Sequence, residues 1–156
     1  WTEKSVFQSN PMSVPLDCVG YYSADCGQPI PEWNWSLRTT LAFDAVDVSV
    51  LWRHIGGTKY DGTGMFAGTL DEDVGTLAGK QVDFGRIKAH DYFDLTTRWS
   101  IGDTVTLVLA VNNLFDKKPP LVGGEAGSTA YNSGNTFPST YDALGRRYTV
   151  SARLRF

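Results

Sequence analysis

The final twelve residues, GRRYTVSARLRF from Gly145 to Phe156, alternate without interruption between apolar and polar side chains. Successive side chains of an extended strand point to opposite faces. Tyr148, Val150, Ala152, Leu154 and Phe156 therefore share one face, and Arg147, Thr149, Ser151, Arg153 and Arg155 share the other. A sheet resting on a soluble core also alternates, but such a strand rarely stops on a bare Phe with three arginines along its wet side. A strand standing between hydrocarbon and a watery lumen accounts for both features.

Composition agrees with that reading. The 156 residues include 16 glycines, 7 prolines and 13% aromatic side chains, and stretches with helical period are few, which places the chain in the all-β class. No apolar run approaches the length of a membrane helix. A transmembrane barrel needs none, because half of each of its strands is polar. The formal net charge of -3 argues against a nucleic-acid partner, which normally meets a basic excess. Cys18 and Cys26 lie close together among prolines and glycines, which suits a small disulfide-closed loop in an oxidising compartment; two free thiols are the competing reading. The chain opens at Trp1 with neither a Met nor an export signal, so either a leader was removed or this is an interior start.

Four more alternating runs precede the last. Residues 35–43 put Trp35, Leu37, Thr39, Leu41 and Phe43 on one face, with Arg38 and Thr40 opposite. After a short turn at Asp44-Ala45, Val46, Val48, Val50 and Trp52 alternate with Asp47, Ser49, Leu51 and Arg53. Residues 91–101 set Phe93, Leu95, Thr97, Trp99 and Ile101 against Tyr92, Asp94, Thr96, Arg98 and Ser100. Beyond a turn at Gly102-Asp103, Val105, Leu107, Leu109 and Val111 continue the apolar face. Each run has roughly the nine to eleven residues that a tilted strand needs to cross hydrocarbon. Trp35, Trp52, Phe93 and Tyr148 would mark one aromatic girdle, and Phe43 and Trp99 the other. Between the runs lie long connections, 1–34, 56–90 and 114–144, read as loops. Short turns at one end and long loops at the other is the asymmetry of outer-membrane barrels. Five strands make a ribbon only about 24 Å wide, and an open edge in lipid is costly, so the expectation is a piece of something larger.

Residues 111–120, VNNLFDKKPP, followed by a loop and the terminal GRRYTVSARLRF, resemble the C-terminal end of a TonB-dependent outer-membrane receptor. DYFDLTTRWSIGDTVTLVLAVNNLFD resembles the penultimate hairpin of that family. DCVGYYSADCGQPIPEWNWSLRTTL resembles an extracellular disulfide loop and the strand after it. The resemblance implies that residues 1–156 are the C-terminal part of one antiparallel barrel of twenty-two strands in the outer membrane of a Gram-negative bacterium. The plug, the N-terminal strands and the segment that engages TonB are missing from this sequence. It also implies that the three long connections face outside and the two short turns face the periplasm. Tyr148, Val150, Ala152, Leu154 and Phe156 resemble the signal read by the barrel-assembly machinery, and an unpaired strand edge is a physical template for such strand addition.

The function expected on this basis is energy-dependent uptake of a scarce nutrient, an iron-siderophore, cobalamin or a saccharide. The partners are outer-membrane lipid, the rest of the barrel and its plug, and TonB. Arg38, Arg53, Asp94, Arg98, Arg147, Arg153 and Arg155 are candidates to line the lumen and meet the plug. Tyr60, Phe66, Tyr131, Phe137 and Tyr141 are candidates to stack on a ligand from the loops, or to pack against neighbouring loops. Other motifs carry little. Residues 62–67, GTGMFA, fit the loose dinucleotide fingerprint with Asp83 downstream, but neither a buried strand nor a helix frames them. Asp71-Glu72-Asp73 lacks the spacing of a calcium loop, and Asn34-Trp35-Ser36 is a sequon on a strand. No nucleophile, paired-carboxylate or metal spacing stands out, so neither enzyme activity nor a cofactor is expected. The alternative is a soluble extracellular β-sheet module that binds carbohydrate through the same aromatic loops.

Overall fold

The computed structural model describes residues 1–61, 74–77, 80–83, 85–123 and 135–155, and the described residues contain strands and no helix. In chain order the strands are β1 (Val6–Phe7), β2 (Leu16–Asp17), β3 (Tyr21–Tyr22), β4 (Asn34–Ala42), β5 (Val46–Ile55), β6 (Thr58–Tyr60), β7 (Val74–Leu77), β8 (Lys80–Asp83), β9 (Arg86–Ile87), β10 (His90–Ile101), β11 (Val105–Asn112) and β12 (Arg147–Leu154). They divide between two compact units. A loop unit holds Trp1–Asn34, Ile55–His90 and Pro119–Ala143, and a sheet unit holds Trp35–His54, Asp91–Lys118 and Leu144–Phe156.

The sheet unit is a meander of five strands in the order β12-β11-β10-β5-β4. Its two tight turns lie where the alternation breaks. Phe43 N–H donates to Val46 O across Asp44-Ala45 at 2.9 Å. Between β10 and β11 the chain turns through Gly102, whose φ of 58° is a left-handed conformation that a side chain would strain. Register preserves the sorting of faces. Thr97 stands opposite Leu109 and Leu109 opposite Val150; Trp99 faces Leu107, and Leu107 faces Ala152. On the other side Ser100 pairs with Thr106 and Thr106 with Arg153, while Asn112 pairs with Arg147. A slip of one residue would exchange every side chain between the faces, so the alternation itself fixes the pairing.

The apolar face is open over much of its extent, although Val111 on it is buried. Leu37 keeps 54% of its surface exposed, Ile101 55% and Val150 75%, and Leu41, Phe43 and Leu154 are equally open. Contiguous apolar area of this kind marks a surface that meets protein or lipid. At about 3.4 Å per residue and a tilt near 45°, the twelve residues of β10 rise roughly 29 Å, enough to traverse an apolar band about 25 Å tall. One end of that face carries a cluster of rings. Trp35 packs edge-on to Trp52 at 4.6 Å, and Trp52 stacks on Phe93 at 5.5 Å. The Trp52 indole N–H donates to Asp91 Oδ1 at 2.8 Å, which satisfies the polar end of an amphipathic ring.

The loop unit differs from the sequence expectation, which treated 1–34, 56–90 and 114–144 as loops. Short strands fill the first two. β1 pairs with β2 and β7 with β8, and β3, β6 and β9 form a three-stranded sheet in which the β3–β6 ladder is parallel. Runs of two to four residues are too brief for a periodic signal. Packing decides them: Tyr22, Val122, Phe137 and Tyr141 are almost wholly buried, with Cys18, Tyr60 and Ile87 nearly so. Tyr22 meets Tyr60 and Phe137 edge-on at 5.7 and 5.8 Å, a geometry favoured by the ring quadrupoles. Cys18 and Cys26 are joined by a disulfide, so the free-thiol alternative falls.

Candidate functional site

The polar face of the sheet is organised by two ion pairs that join β5 to β10. The Arg53 guanidinium is bidentate on Asp94, with Nε donating to Oδ2 at 3.1 Å and Nη2 to Oδ1 at 3.2 Å. It also lies 5.3 Å from the centre of the Tyr92 ring, within cation–π range. Arg98 pairs with Asp47, its Nε donating to Oδ2 at 2.8 Å. Arg38 reaches Ser49 Oγ at 3.3 Å, and Thr40 bonds the same hydroxyl at 3.1 Å. Fork-shaped contacts of this kind hold a guanidinium in one orientation. Arg38, Arg53, Asp94 and Arg98 thus form the side-chain framework of the sheet's polar face. Arg153 faces Thr106 and Arg147 faces Asn112 on that same face.

Toward the Gly102 turn this face is concave. A hollow of about 840 Å³ is lined by Arg98, Arg153 and Arg155 together with Asp103 and the hydroxyls of Ser100 and Ser151. Arg155 N–H donates to Thr104 O at 2.9 Å, which carries the pairing one residue past β12. Arg98 is already paired with Asp47, so Arg153 and Arg155 beside Asp103 supply the guanidinium donors of this hollow, a chemistry suited to carboxylates and backbone carbonyls. Phe156 lies outside the described residues, whereas Tyr148 and Leu154 project from the exposed apolar face and Val150 and Ala152 occupy the same face.

The segment after β11 is a latch. Asn113 adopts a φ of 53° and is almost fully buried. Its side chain accepts from Lys117 N–H at 2.8 Å and donates to Lys117 O at 3.0 Å, closing the turn, while its own N–H donates to Asp94 at 2.8 Å. Asp116, also left-handed, accepts from Arg146 N–H at 3.0 Å and from Lys118 Nζ at 2.8 Å. The Lys118 ammonium, then the Arg146 amide, holds the Asp116 carboxyl below the usual carboxylate range. A Cβ on Gly145 would come within 2.8 Å of Asp116 Oδ1. The asparagines and aspartate of NNLFDKK therefore fasten the end of β11 to β10 and to the start of β12.

In the loop unit, Tyr60, Phe137 and Tyr141 sit in the packed interior, with His90 edge-on to Tyr141 at 5.2 Å. Burial and the neighbouring carboxylates Asp61 and Asp25 raise the Tyr60 phenol pKa. These three rings are buried against other residues of the loop unit. Phe66 and Tyr131, the GTGMFA stretch and the 71–73 acidic run lie outside the described residues. Alternation could not have found the exposed outer side of β3, β6 and β9. There Tyr21, Lys59 and Arg86 border a hollow of about 590 Å³ together with Glu32 and Lys88.

No family model and no curated protein matches the chain. Two crystal structures are similar to it, both point mutants of the ferric enterobactin receptor of Pseudomonas aeruginosa in complex with enterobactin. They are 19% and 20% identical, with TM-scores of 0.48 and 0.45, over 78% of this chain. The chain spans 16% of the length of each.

Proposed function

We propose that the five-stranded meander is part of the wall of a TonB-dependent outer-membrane receptor, a Gram-negative importer of a scarce nutrient. The observation that carries this reading is the sheet itself, with one face apolar and open and the other bound by Arg53–Asp94 and Arg98–Asp47. Among the described residues β4 and β12 each have a strand neighbour on one side only. Unpaired backbone edges are not tolerated in hydrocarbon, so further strands of the same barrel complete them. Arg38, Arg53, Asp94, Arg98, Arg147, Arg153 and Arg155 then line the lumen, and the hollow near the Gly102 turn receives part of the plug. The open edge of β12 is the strand that the assembly machinery engages, with Tyr148, Val150, Ala152 and Leu154 toward lipid and Phe156 the last residue of the signal in sequence. TonB supplies the energy, because the outer membrane holds no ATP.

Depth-dependent quenching tests the wall. Single cysteines at Val150, Ser151, Ala152 and Thr149, carrying an environment-sensitive dye, are placed in vesicles of spin-labelled lipid using the full-length protein. Quenching at 150 and 152 with none at 149 and 151 is expected. Uniform quenching, or folding into a soluble form without detergent, sinks the proposal.

A further inference from the structure

The terminal strand takes its register without help from a tight turn. Between β10 and β11 the chain reverses at Gly102, and a turn that short dictates which residues face each other. Between β11 and β12 it runs through residues 113–146, far too long a connection to do the same. Side-chain sorting leaves a choice as well, because alternation forbids a slip of one residue and is blind to a slip of two. Leu107 faces Ala152 and Val111 faces Tyr148. After a slip of two, Leu107 would meet Leu154 or Val150, and every side chain would keep its face. Backbone donors and acceptors would stay aimed across the ladder too, since their pattern repeats every second residue.

We propose that Asp116 and Gly145 are the register key of β12, the contact that selects the observed pairing over those two residues away. The key is rigidly mounted. Leu114 N–H donates to Phe93 O at 2.7 Å, Asn113 N–H to Asp94 at 2.8 Å and Asp116 N–H to Asn113 O at 2.9 Å, so the turn that carries Asp116 is fastened to β10. From there Asp116 Oδ1 accepts from Arg146 N–H at 3.0 Å, one residue before Arg147 pairs with Asn112. The same oxygen lies 2.8 Å from where a Cβ on Gly145 would stand, and Gly145 has a φ of 77°. Slipping β12 by two residues brings Arg147 or Ala143 to that place. Either residue drives a Cβ into the carboxylate and resists the left-handed backbone. Only the observed pairing puts the glycine there. Lys118 binds the other carboxylate oxygen, Oδ2, at 2.8 Å and leaves Oδ1 to the backbone. The key is a property of the sheet alone. In the receptor wall it also sets the stagger at which β12 meets the strand that completes the barrel, because a two-residue slip moves that edge by about 7 Å.

Disulfide trapping in the full-length protein, folded in detergent, reads the register. Val108→Cys is combined in turn with Ser151→Cys, at its observed partner, and with Thr149→Cys or Arg153→Cys, at its partners after a slip of two. Brief oxidation with copper-phenanthroline should bridge the Val108→Cys/Ser151→Cys pair in preference to the other two. The ratio of shifted to observed bridge should rise several-fold in Asp116→Ala and in Gly145→Ala. Asp116→Asn keeps an acceptor oxygen and Lys118→Gln keeps the carboxylate, so both should trap like the parent. Gly145→Ala leaves every side chain of the latch in place and carries the test should Asp116→Ala fold poorly. Bridging confined to the observed pair in whichever of those two variants folds, or Asp116→Asn shifting as far as Asp116→Ala, overturns the proposal. The quenching pattern expected of the wall is the same in registers two residues apart, so failure here is separable from failure of the barrel reading.

Discussion

Arginine scanning along β11 measures the sheet's surroundings as an energy gradient. Leu109 stands opposite Thr97, near the middle of β10, and Val105 stands opposite Ile101 beside the turn. Four residues separate them, which at about 3.4 Å each and a tilt near 45° is roughly 10 Å of depth. In a bilayer Leu109→Arg should cost about 2–4 kcal/mol, and Val105→Arg, near the interface, about 0–1 kcal/mol. Ala110→Arg puts the same charge on the opposite, wetted face and should cost less than about 1 kcal/mol. A difference of about 2–3 kcal/mol between positions 109 and 105 is roughly 30- to 160-fold in the folding equilibrium. Denaturant titration of the full-length protein folding into vesicles, followed by tryptophan fluorescence, reads it directly. Had the apolar face belonged to a soluble core, cost would track packing rather than depth. Equal losses at 105 and 109, or a penalty at Ala110 matching that at Leu109, would refute the reasoning.

Three further outcomes follow from the contacts. Asp94→Ala strands both Arg53 and the buried Asn113 N–H and should cost about 2–4 kcal/mol, while Arg53→Ala, which removes a half-exposed partner, should cost about 1 kcal/mol; equal losses in denaturant titration would contradict the hub role of Asp94. Reducing the Cys18–Cys26 bond, which spans a sequence separation of 8, should release about 2.5 kcal/mol of loop-closure restraint, seen as faster amide exchange in the loop unit and unchanged exchange in β10 and β11. Asp116 has a folded pKa depressed below its ordinary 3.8, so its contribution is present above that value and disappears as pH falls through the lower folded value; exchange of the Arg146 amide should accelerate in that acid window, and Asp116→Asn should abolish the step.

Much of the sheet was legible in the chain, because a period of two is a local property and each strand announces its own two faces. The short turns at Asp44-Ala45 and Gly102-Asp103 were visible for the same reason: they interrupt the alternation. The Cys18–Cys26 bridge followed from close spacing in a Pro- and Gly-rich stretch. Partners were a different matter. Arg53 finds Asp94 across 41 residues and Arg98 finds Asp47 across 51, and such meetings depend on strand order and register, which no window of sequence contains. The loop unit shows the limit most sharply. Tyr21 and Tyr22 are adjacent and chemically identical, yet Tyr22 is buried against Tyr60 and Phe137 while Tyr21 faces out beside Lys59. A two-residue strand has no periodicity of its own to declare a face, so long-range burial assigned it. Tertiary structure likewise drew Tyr60, Phe137 and Tyr141 into the interior and brought Lys59 opposite Arg86.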